Sequence, residues 1–469
     1  MGRRGPGDTL SDVTPDPVAG ISRPELPKLP GLGVLRPMFA VGAITAFVAL
    51  ALAGRELLIA QEFGVNDALD SFLIAIMLPA FAITIIAGSF NSAVIPTFIK
   101  VREQEGDAAA QRLFSNILCS TAALLLFVAV VLALSFPMIL PYLASGFSAQ
   151  KLETTRRLFF MVLPVIVLDG ISTVMGAVLN ATRRFALAAI MPALSPVLAI
   201  VTLFVLNESP SVYVLPVVLV VGATARATVL ALALRSRGLS VMPRWTGLDR
   251  HTKEVSQQYG PMAIGALLMG LTTVVDQSMA TTLGRGAVSQ LNFALMAVLA
   301  GIGIASVAIS AVITPLFSEM AARRDWTLLN SALDRYLRSA FLLTVPIVIV
   351  FLLFSETIVS LLFERGMFGP QDTLDVARVQ RAFALQIPFY TAGILVVRTI
   401  SVLRANRILM IAAAINLVVN VLLNVALMPH FGVAGIALST STVYVVSFTF
   451  SFAMVKRLLR KKMSVVQAR

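Results

Sequence analysis

The chain contains 469 residues, of which 58% are hydrophobic and only 13% charged, and its mean hydropathy is +0.88. This composition excludes a water-soluble globular protein, in which about 25% of the residues are charged. The net charge of +13 raises the question of nucleic-acid binding, but most Lys and Arg residues lie at the two ends and in alternate segments between apolar runs. That distribution indicates membrane topology and contact with anionic membrane lipids, and we expect no nucleic-acid partner.

Residues 1–37 contain seven prolines and no apolar period, so we predict a disordered cytoplasmic tail. From residue 38 onward, runs of about 20 apolar residues recur, which is the length that a helix needs to cross a hydrocarbon core of about 30 Å. The pattern predicts an all-α integral membrane protein with about 12 transmembrane helices. The expected spans are 38–61, 67–95, 112–135, 156–180, 185–206, 211–234, 258–282, 288–314, 335–353, 376–403, 408–428 and 433–455.

The chain also repeats itself with a spacing of about 220 residues. The motif SGFSAQ at Ser145 resembles RGMFGPQ at Arg365, and LNATRRF at Leu179 resembles LRANRIL at Leu403. Each copy carries six predicted spans, and an even number returns the chain to its starting side, so the two copies are parallel repeats. We predict an N-terminal six-helix lobe at 38–234, a basic cytoplasmic linker at 235–257, a C-terminal six-helix lobe at 258–455 and a basic cytoplasmic tail at 456–469.

The concentration of Lys and Arg in the tails and alternate loops places both termini in the cytoplasm by the positive-inside rule. Two six-helix lobes with one orientation can enclose a central cavity that opens to each side in turn. This architecture is typical of membrane transporters, and we expect alternating access.

Charged residues inside the spans cost roughly 2.5–3.5 kcal/mol each, so each is expected to face a partner or a hydrated space. The repeat places Asp276 on span 7 where Glu56 lies on span 1, and we expect the two carboxylates to face each other across the cavity. Solvation near the interface, or pairing with Arg285 and Arg55, is the structural alternative. For Asp169, near the middle of span 4, the alternative is a hydrogen bond to a neighbouring helix. The candidate cavity residues are Arg55, Glu56, Asp70, Asp169, Arg226, Asp276 and Arg398.

The sequence carries few of the residues on which catalytic and metal sites depend. It contains two histidines and one cysteine, and no HExxH, CxxC or GxxxxGK[ST] motif. We therefore expect a transporter rather than an enzyme, with no metal, no cofactor and no ATP-driven motor in this chain. Asn416, Asn420 and Asn424 recur every four residues on span 11, a stripe that is more typical of helix–helix contact than of ligand binding.

Four stretches, in order along both halves, resemble signatures of one family. They are FGVNDALDSFLIAIMLPAF, VLNATRRFALAAIMPALSP, TTVVDQSMATTLGRGAVSQLNFA and LLFERGMFGPQDT. Together they are similar to the MurJ (MviN) family of lipid II flippases, in the multidrug/oligosaccharidyl-lipid/polysaccharide exporter superfamily. The resemblance implies two six-helix lobes in a V shape. It also matches Arg55 to a cationic cavity position, Asp70 to the acidic residue of a TDAF-like motif and Asp276 to a polar position on span 7.

By the same resemblance, the expected function is to move an undecaprenyl-pyrophosphate-linked glycan from the inner to the outer leaflet of the bacterial cytoplasmic membrane, for cell-envelope polysaccharide synthesis. Envelope glycan synthases are expected partners, and the membrane potential, H⁺ and Na⁺ are the candidate driving forces. The stretch LPAFAITIIAGSF lacks the paired arginines and the glutamate that family members usually carry there. A lipid-linked glycan other than lipid II is therefore a second candidate substrate.

Two other functions stay open at this stage. A cation-coupled multidrug antiporter of the same superfamily would use the embedded carboxylates for ion exchange. A membrane scaffold for envelope synthases that transports nothing would leave the cavity arginines dispensable.

Overall fold

A computed structural model describes residues 32–182, 185–206, 210–242, 244–245, 247, 266–268 and 270–467. The predicted disordered tail therefore lies outside the described residues, except for its last six positions. These are helical, because Leu32, Val34 and Leu35 continue the apolar run across Arg36 and Pro37. The first described helix thus begins at Leu32, six residues before the predicted start of the first span.

The described residues form helices joined by short turns, and none of them lies in a strand. The first half contains α1 (Leu32–Phe63), α2 (Asp67–Glu105), α3 (Asp107–Leu143), α4 (Ala149–Val162), α5 (Pro164–Ala181), α6 (Phe185–Ile190), α7 (Leu194–Leu206) and α8 (Val214–Arg235). The second half contains α9 (270–280), α10 (Ala287–Ala322), α11 (Trp326–Phe363), α12 (Pro370–Ala384), α13 (Ile387–Val402), α14 (Arg407–Phe431) and α15 (Val433–Gln467).

Several helices begin at a side chain that caps the free backbone donors of the first turn. Asn66 accepts from Leu69 N at 2.8 Å at the start of α2, and Asp325 accepts from Leu328 N at 2.9 Å at the start of α11. The bond from Leu328 N and a second one from the Thr327 hydroxyl hold the pKa of Asp325 below its ordinary value. These caps fix where α2 and α11 begin.

Among the described residues, nine helical segments are long and apolar enough to cross a membrane, and the pair α12 and α13, bent by 41°, makes a tenth. These ten coincide with ten of the predicted spans. Of the remaining two, the span predicted at 258–282 is only partly described, and the one at 288–314 lies within the 36-residue helix α10. The prediction of an all-α, multi-pass membrane fold is confirmed.

The buried apolar side chains form three clusters whose positions define the shape of the molecule. One cluster contains residues of both halves, including Ile59, Phe63, Phe293 and Phe368. The second belongs to the first half alone and the third to the second half alone. The halves therefore share one core at the end that carries the α1–α2 and α11–α12 turns, which we call the closed end. They pack separately at the end that carries the α2–α3 turn and the last turns of α15, which we call the open end.

This division supports two lobes in a V shape. The residue boundaries predicted for the lobes, the linker and the tail stay predictions.

Candidate substrate cavity

At the closed end, backbone groups of the two halves bind each other directly. The N–H of Met367, in the α11–α12 turn, donates to the carbonyl of Gln61 at 2.7 Å, and the hydroxyl of Ser278 on α9 donates to the carbonyl of Leu143 at 2.7 Å. Backbones approach this closely only where side chains are small. Gly366 has φ +57°, and a Cβ there would collide with the Gln61 carbonyl.

Asp70 joins the two halves at the same end. Its side chain on α2 is fully buried, and one carboxylate oxygen accepts both the N–H of Ser289 at 2.8 Å and the Ser289 hydroxyl at 2.6 Å. The other oxygen accepts from Lys151 Nζ at 3.0 Å, and the same ammonium lies 3.8 Å from the centroid of the Phe147 ring. Ser289 is near the start of α10, so this contact crosses from the first half to the second. Asp70 was predicted to line the cavity, but it forms part of the seam that closes it.

A cavity of about 390 Å³ lies between the halves, next to this seam. Its polar lining from the first half is Arg55 and Glu56 on α1 and Thr84 on α2. The second half contributes Thr273 and Gln277 on α9 and Asn292 on α10. The remaining wall is apolar. Residues of span 1 and of the described part of span 7 thus lie on the walls of one central space.

Arg55 and Glu56 form an ion pair with each other, both partly buried. Arg55 also lines a second cavity of about 210 Å³ inside the first half, with Asp169 on α5 and Arg226 on α8. There, Arg226 Nη1 lies 3.4 Å from Asp169 Oδ1. Four of the seven candidate residues are thus brought together around Arg55, and their formal charges cancel. The structural alternatives given for these two carboxylates are therefore both observed. Glu56 pairs with Arg55, and Asp169 contacts Arg226 on a neighbouring helix.

Asp276 does not face the cavity opposite Glu56, which corrects the prediction from the repeat. It is 8% exposed and points into the second half. One carboxylate oxygen accepts from Asn420 Nδ2 at 2.9 Å and Asn424 Nδ2 at 2.7 Å, and the other accepts from Thr440 Oγ1 at 2.9 Å. Because successive residues of a helix differ by about 100° in direction, the neighbouring Gln277 lines the cavity instead.

The asparagine stripe of α14 was interpreted as helix contact, and its bonds are with α9 and α15. Asn416 donates to the Ser447 hydroxyl at 3.0 Å, while Asn420 and Asn424 hold Asp276. The side-chain oxygens of Asn420 and Asn424 are buried, and neither has a hydrogen-bond partner among the described residues. Their amide N–H groups face the Asp276 carboxylate, and no described group of three or more His, Cys, Asp or Glu side chains is placed to hold a metal ion.

Arg398, the last candidate, is exposed on α13 and lies on the wall of neither cavity. Its position agrees with a long side chain that extends to an interface. A transport role for the seven candidates stays a prediction. The sequence did not single out Lys151, Ser289 and Gln277, because their importance arises from tertiary neighbours that no local pattern encodes.

Comparison with known proteins identifies the family. The family model described as Lipid II flippase MurJ matches residues 59–467. A probable lipid II flippase MurJ of Rhizobium meliloti (strain 1021) is 28% identical over 395 residues, 82% of this chain and 73% of the relative. The corresponding protein of Rickettsia prowazekii (strain Madrid E) is 26% identical over 86% of this chain and 81% of its own length.

Solved structures agree in fold. A lipid II flippase MurJ in an inward closed conformation superposes with a TM-score of 0.77 at 20% identity, over 89% of this chain and 87% of that one. An inward-facing multidrug resistance MATE family transporter of the MOP superfamily superposes with a TM-score of 0.73 at 15% identity, over 91% of this chain and 99% of that one. The fold is therefore that of membrane transporters rather than of enzymes. Because the family match extends over most of the sequence, we conclude that the chain belongs to the MurJ family.

Proposed function

We propose that the protein is a flippase that moves an undecaprenyl-pyrophosphate-linked glycan precursor, lipid II or another envelope repeat unit, from the inner to the outer leaflet. The observation that carries this proposal is the cavity between the two halves, lined from both repeats and sealed at one end. A cavity of about 390 Å³ matches a small-ligand site, so a sugar–pyrophosphate headgroup requires the halves to separate. The lipid tail stays in the bilayer while the headgroup crosses between the lobes.

The charges around Arg55 give this headgroup a binding mode. Arg55 and Arg226 are each paired with a carboxylate, Glu56 and Asp169, so the ion pairs of the central cavity and of the smaller cavity that adjoins it at Arg55 are both neutral. A pyrophosphate carries more negative charge than a single carboxylate and offers guanidinium the same bidentate contact, so it competes with the partly solvated carboxylates for the arginines. The substrate therefore takes over the two arginines, and the released carboxylates repel it on the way out. Buried arginines without such partners would hold a pyrophosphate too tightly for release.

The protein would reside in the bacterial cytoplasmic membrane with both termini in the cytoplasm, because the basic tails and the basic linker follow or precede helix ends that lie at the open end: the start of α1, the end of α8 and the end of α15. In this orientation the closed end faces outward, and the cavity loads from the cytoplasmic leaflet. Envelope glycan synthases would supply and consume the substrate. Of the candidate driving forces, a cation or a proton at Asp276 is favoured over the membrane potential alone, because this carboxylate is buried among the neutral partners Asn420, Asn424 and Thr440.

The proposal is tested with purified full-length protein in proteoliposomes that contain fluorescent lipid II or another undecaprenyl-pyrophosphate glycan. Arg55→Ala and Arg226→Ala are expected to lower flipping at least tenfold, whereas Arg398→Ala, away from both cavities, serves as the matched control. No flipping by the purified wild-type protein, together with unchanged polysaccharide export in cells that carry both cavity variants, would favour the scaffold. Wild-type flipping by both variants would refute the binding mode at the two arginines. Cation-dependent efflux of a fluorescent dye without glycan flipping would favour the multidrug antiporter.

A further inference from the structure

A groove of about 690 Å³ runs along the second half, away from the cavity between the halves. Its walls are α11, from Asp334 to Pro346, and the Phe448 and Phe452 side chains of α15. No residue of this groove lines the cavity next to the seam. Leu342 is 76% exposed and Val345 46% exposed on its rim, so the groove opens onto the apolar surface that faces the bilayer.

The groove has the length of one leaflet. No charged residue occurs on α11 between Arg338 and Glu356, or on α15 before Lys456, so these side chains mark where the hydrocarbon layer ends. From Asp334 to Pro346 the helix rises about 18 Å, at 1.5 Å per residue. Half of a hydrocarbon core of about 30 Å is about 15 Å. The groove therefore runs from the interface at the open end to about the middle of the bilayer.

Its walls are rigid and apolar over most of this length. The ring centroids of Phe341 and Phe448 are 5.7 Å apart, and Phe448 stacks on Phe452 at 5.6 Å. Phe389 of α13 packs behind them, 5.6 Å from Phe341. These contacts join α11 and α15 through aromatic rings, which form a continuous apolar surface along which a hydrocarbon chain can lie.

One end of the groove is cationic. Asp334 is neutralised by Lys456, whose ammonium lies 2.6 Å from its Oδ1 and 2.7 Å from the side-chain oxygen of Asn330. Within the described part of the chain, the guanidinium of Arg338 has neither a hydrogen bond nor an ion pair, and it is exposed. The groove thus presents one unpaired positive charge at the level of the lipid headgroups, and the rest of the groove is apolar.

We propose that this groove is a binding site for an anionic glycerophospholipid of the leaflet at the open end, with its phosphate on Arg338 and one acyl chain lying along Phe341, Phe448 and Val345. A guanidinium offers a bidentate contact to a phosphate oxygen pair. A zwitterionic lipid carries an ammonium that offsets the phosphate charge, so the site selects anionic headgroups. This assignment is independent of the glycan that the cavity carries.

The test is native mass spectrometry of the full-length protein released from bilayers of equal phosphatidylglycerol and phosphatidylethanolamine. Arg338→Gln is expected to lower the retained phosphatidylglycerol about fivefold, which corresponds to one basic residue at a membrane surface. Arg335→Gln, an exposed charge one turn earlier that does not line the groove, is the matched control and should change retention less than twofold.

A second pair of variants tests the apolar part of the groove without changing the charge of the protein. Val345→Trp fills the groove, while Leu353→Trp adds the same side chain to the bilayer-facing surface of α11 outside it. Loss of retained lipid in Val345→Trp alone supports the proposal, even if one arginine variant folds poorly. Equal retention of both phospholipids by the wild-type protein, equal effects of the two arginine variants, or retention of a polyprenyl lipid in place of phospholipid would each overturn it.

Discussion

Replacing Asp70 with asparagine is expected to shift the protein from the state in which the closed end is sealed toward a state in which it is open. The side chain keeps its size, but it loses the charge that strengthens two hydrogen bonds from Ser289 and one from Lys151. Hydrogen bonds to a charged group contribute about 1.5–3 kcal/mol. Only the Ser289 bonds cross between the halves, so only they distinguish the sealed state from the open one. A loss of this size changes the ratio of the two states by about 10-fold to 150-fold in favour of opening.

The measurement is a distance distribution between spin labels at Gln150 and Arg365, two exposed positions on opposite halves of the closed end, in a protein whose Cys119 is replaced by Ser. Asp70→Asn and Ser289→Ala should each raise the fraction of long distances, and their effects should not add, because both break the same contact.

Asp67→Asn is the matched control. Asp67 also binds Lys151, at 2.7 Å, but its side chain is 55% exposed, and this ion pair lies within the first half. An exposed pair of this kind contributes at most about 1 kcal/mol, and none of that depends on the seam. If Asp67→Asn shifts the distances as much as Asp70→Asn does, or if the Asp70 and Ser289 variants leave them unchanged within twofold, the seam does not control opening.

Three further predictions follow from the geometry. Gly366→Ala should reduce the free energy of unfolding by about 1 kcal/mol or more and so lower the melting temperature of the detergent-solubilised protein. The reason is that φ at this position is +57° and the new Cβ would collide with the Gln61 carbonyl. Gly369→Ala, where a Cβ meets open space, should have little effect. Asp325→Ala should cost about 1 kcal/mol by removing the α11 cap. Since the folded-state pKa of Asp325 lies below the ordinary value of about 3.9, this stabilisation is present above that pH and is lost as the pH falls through the folded-state pKa, where the melting temperatures of the two proteins should converge. Asp276→Asn should preserve the fold but abolish any Na⁺ or pH dependence of flipping, and an unaltered ion dependence would remove Asp276 from the coupling site.

The membrane spans were predictable because a single physical length, the thickness of the hydrocarbon core, sets the size of every apolar run. The repeat likewise predicted that α1 and α9 face each other. The direction of individual side chains was not predictable at the same precision. An error of one residue on a helix turns a side chain by about 100°, and this separates Gln277 in the cavity from Asp276 in the bundle.

Sequence patterns also could not predict the long-range partners of Asp70. Lys151 reaches Asp70 from 81 residues away, and Ser289 from 219. Neither Lys151 nor Ser289 belongs to a pattern with a chemical meaning of its own, because an isolated lysine near an interface and a serine at a helix start are both common. Only the packed structure shows that the two converge on one buried carboxylate.

The two repeats share a fold but have different chemistry. The first half carries the ion pairs of Arg55 and Arg226, while the second half presents neutral Thr273, Gln277 and Asn292 to the same cavity. The second half in turn buries Asp276 beneath Asn420 and Asn424, and the positions 220 residues earlier, Ile200 and Phe204, are apolar. The proposed sites for an anionic headgroup, at Arg55, and for a coupling ion, at Asp276, would therefore occupy different lobes. Among the described residues, the lobes meet at the seam around Asp70 and in the shared core of the closed end, so ion binding in one lobe would affect the headgroup in the other by changing how the lobes are tilted.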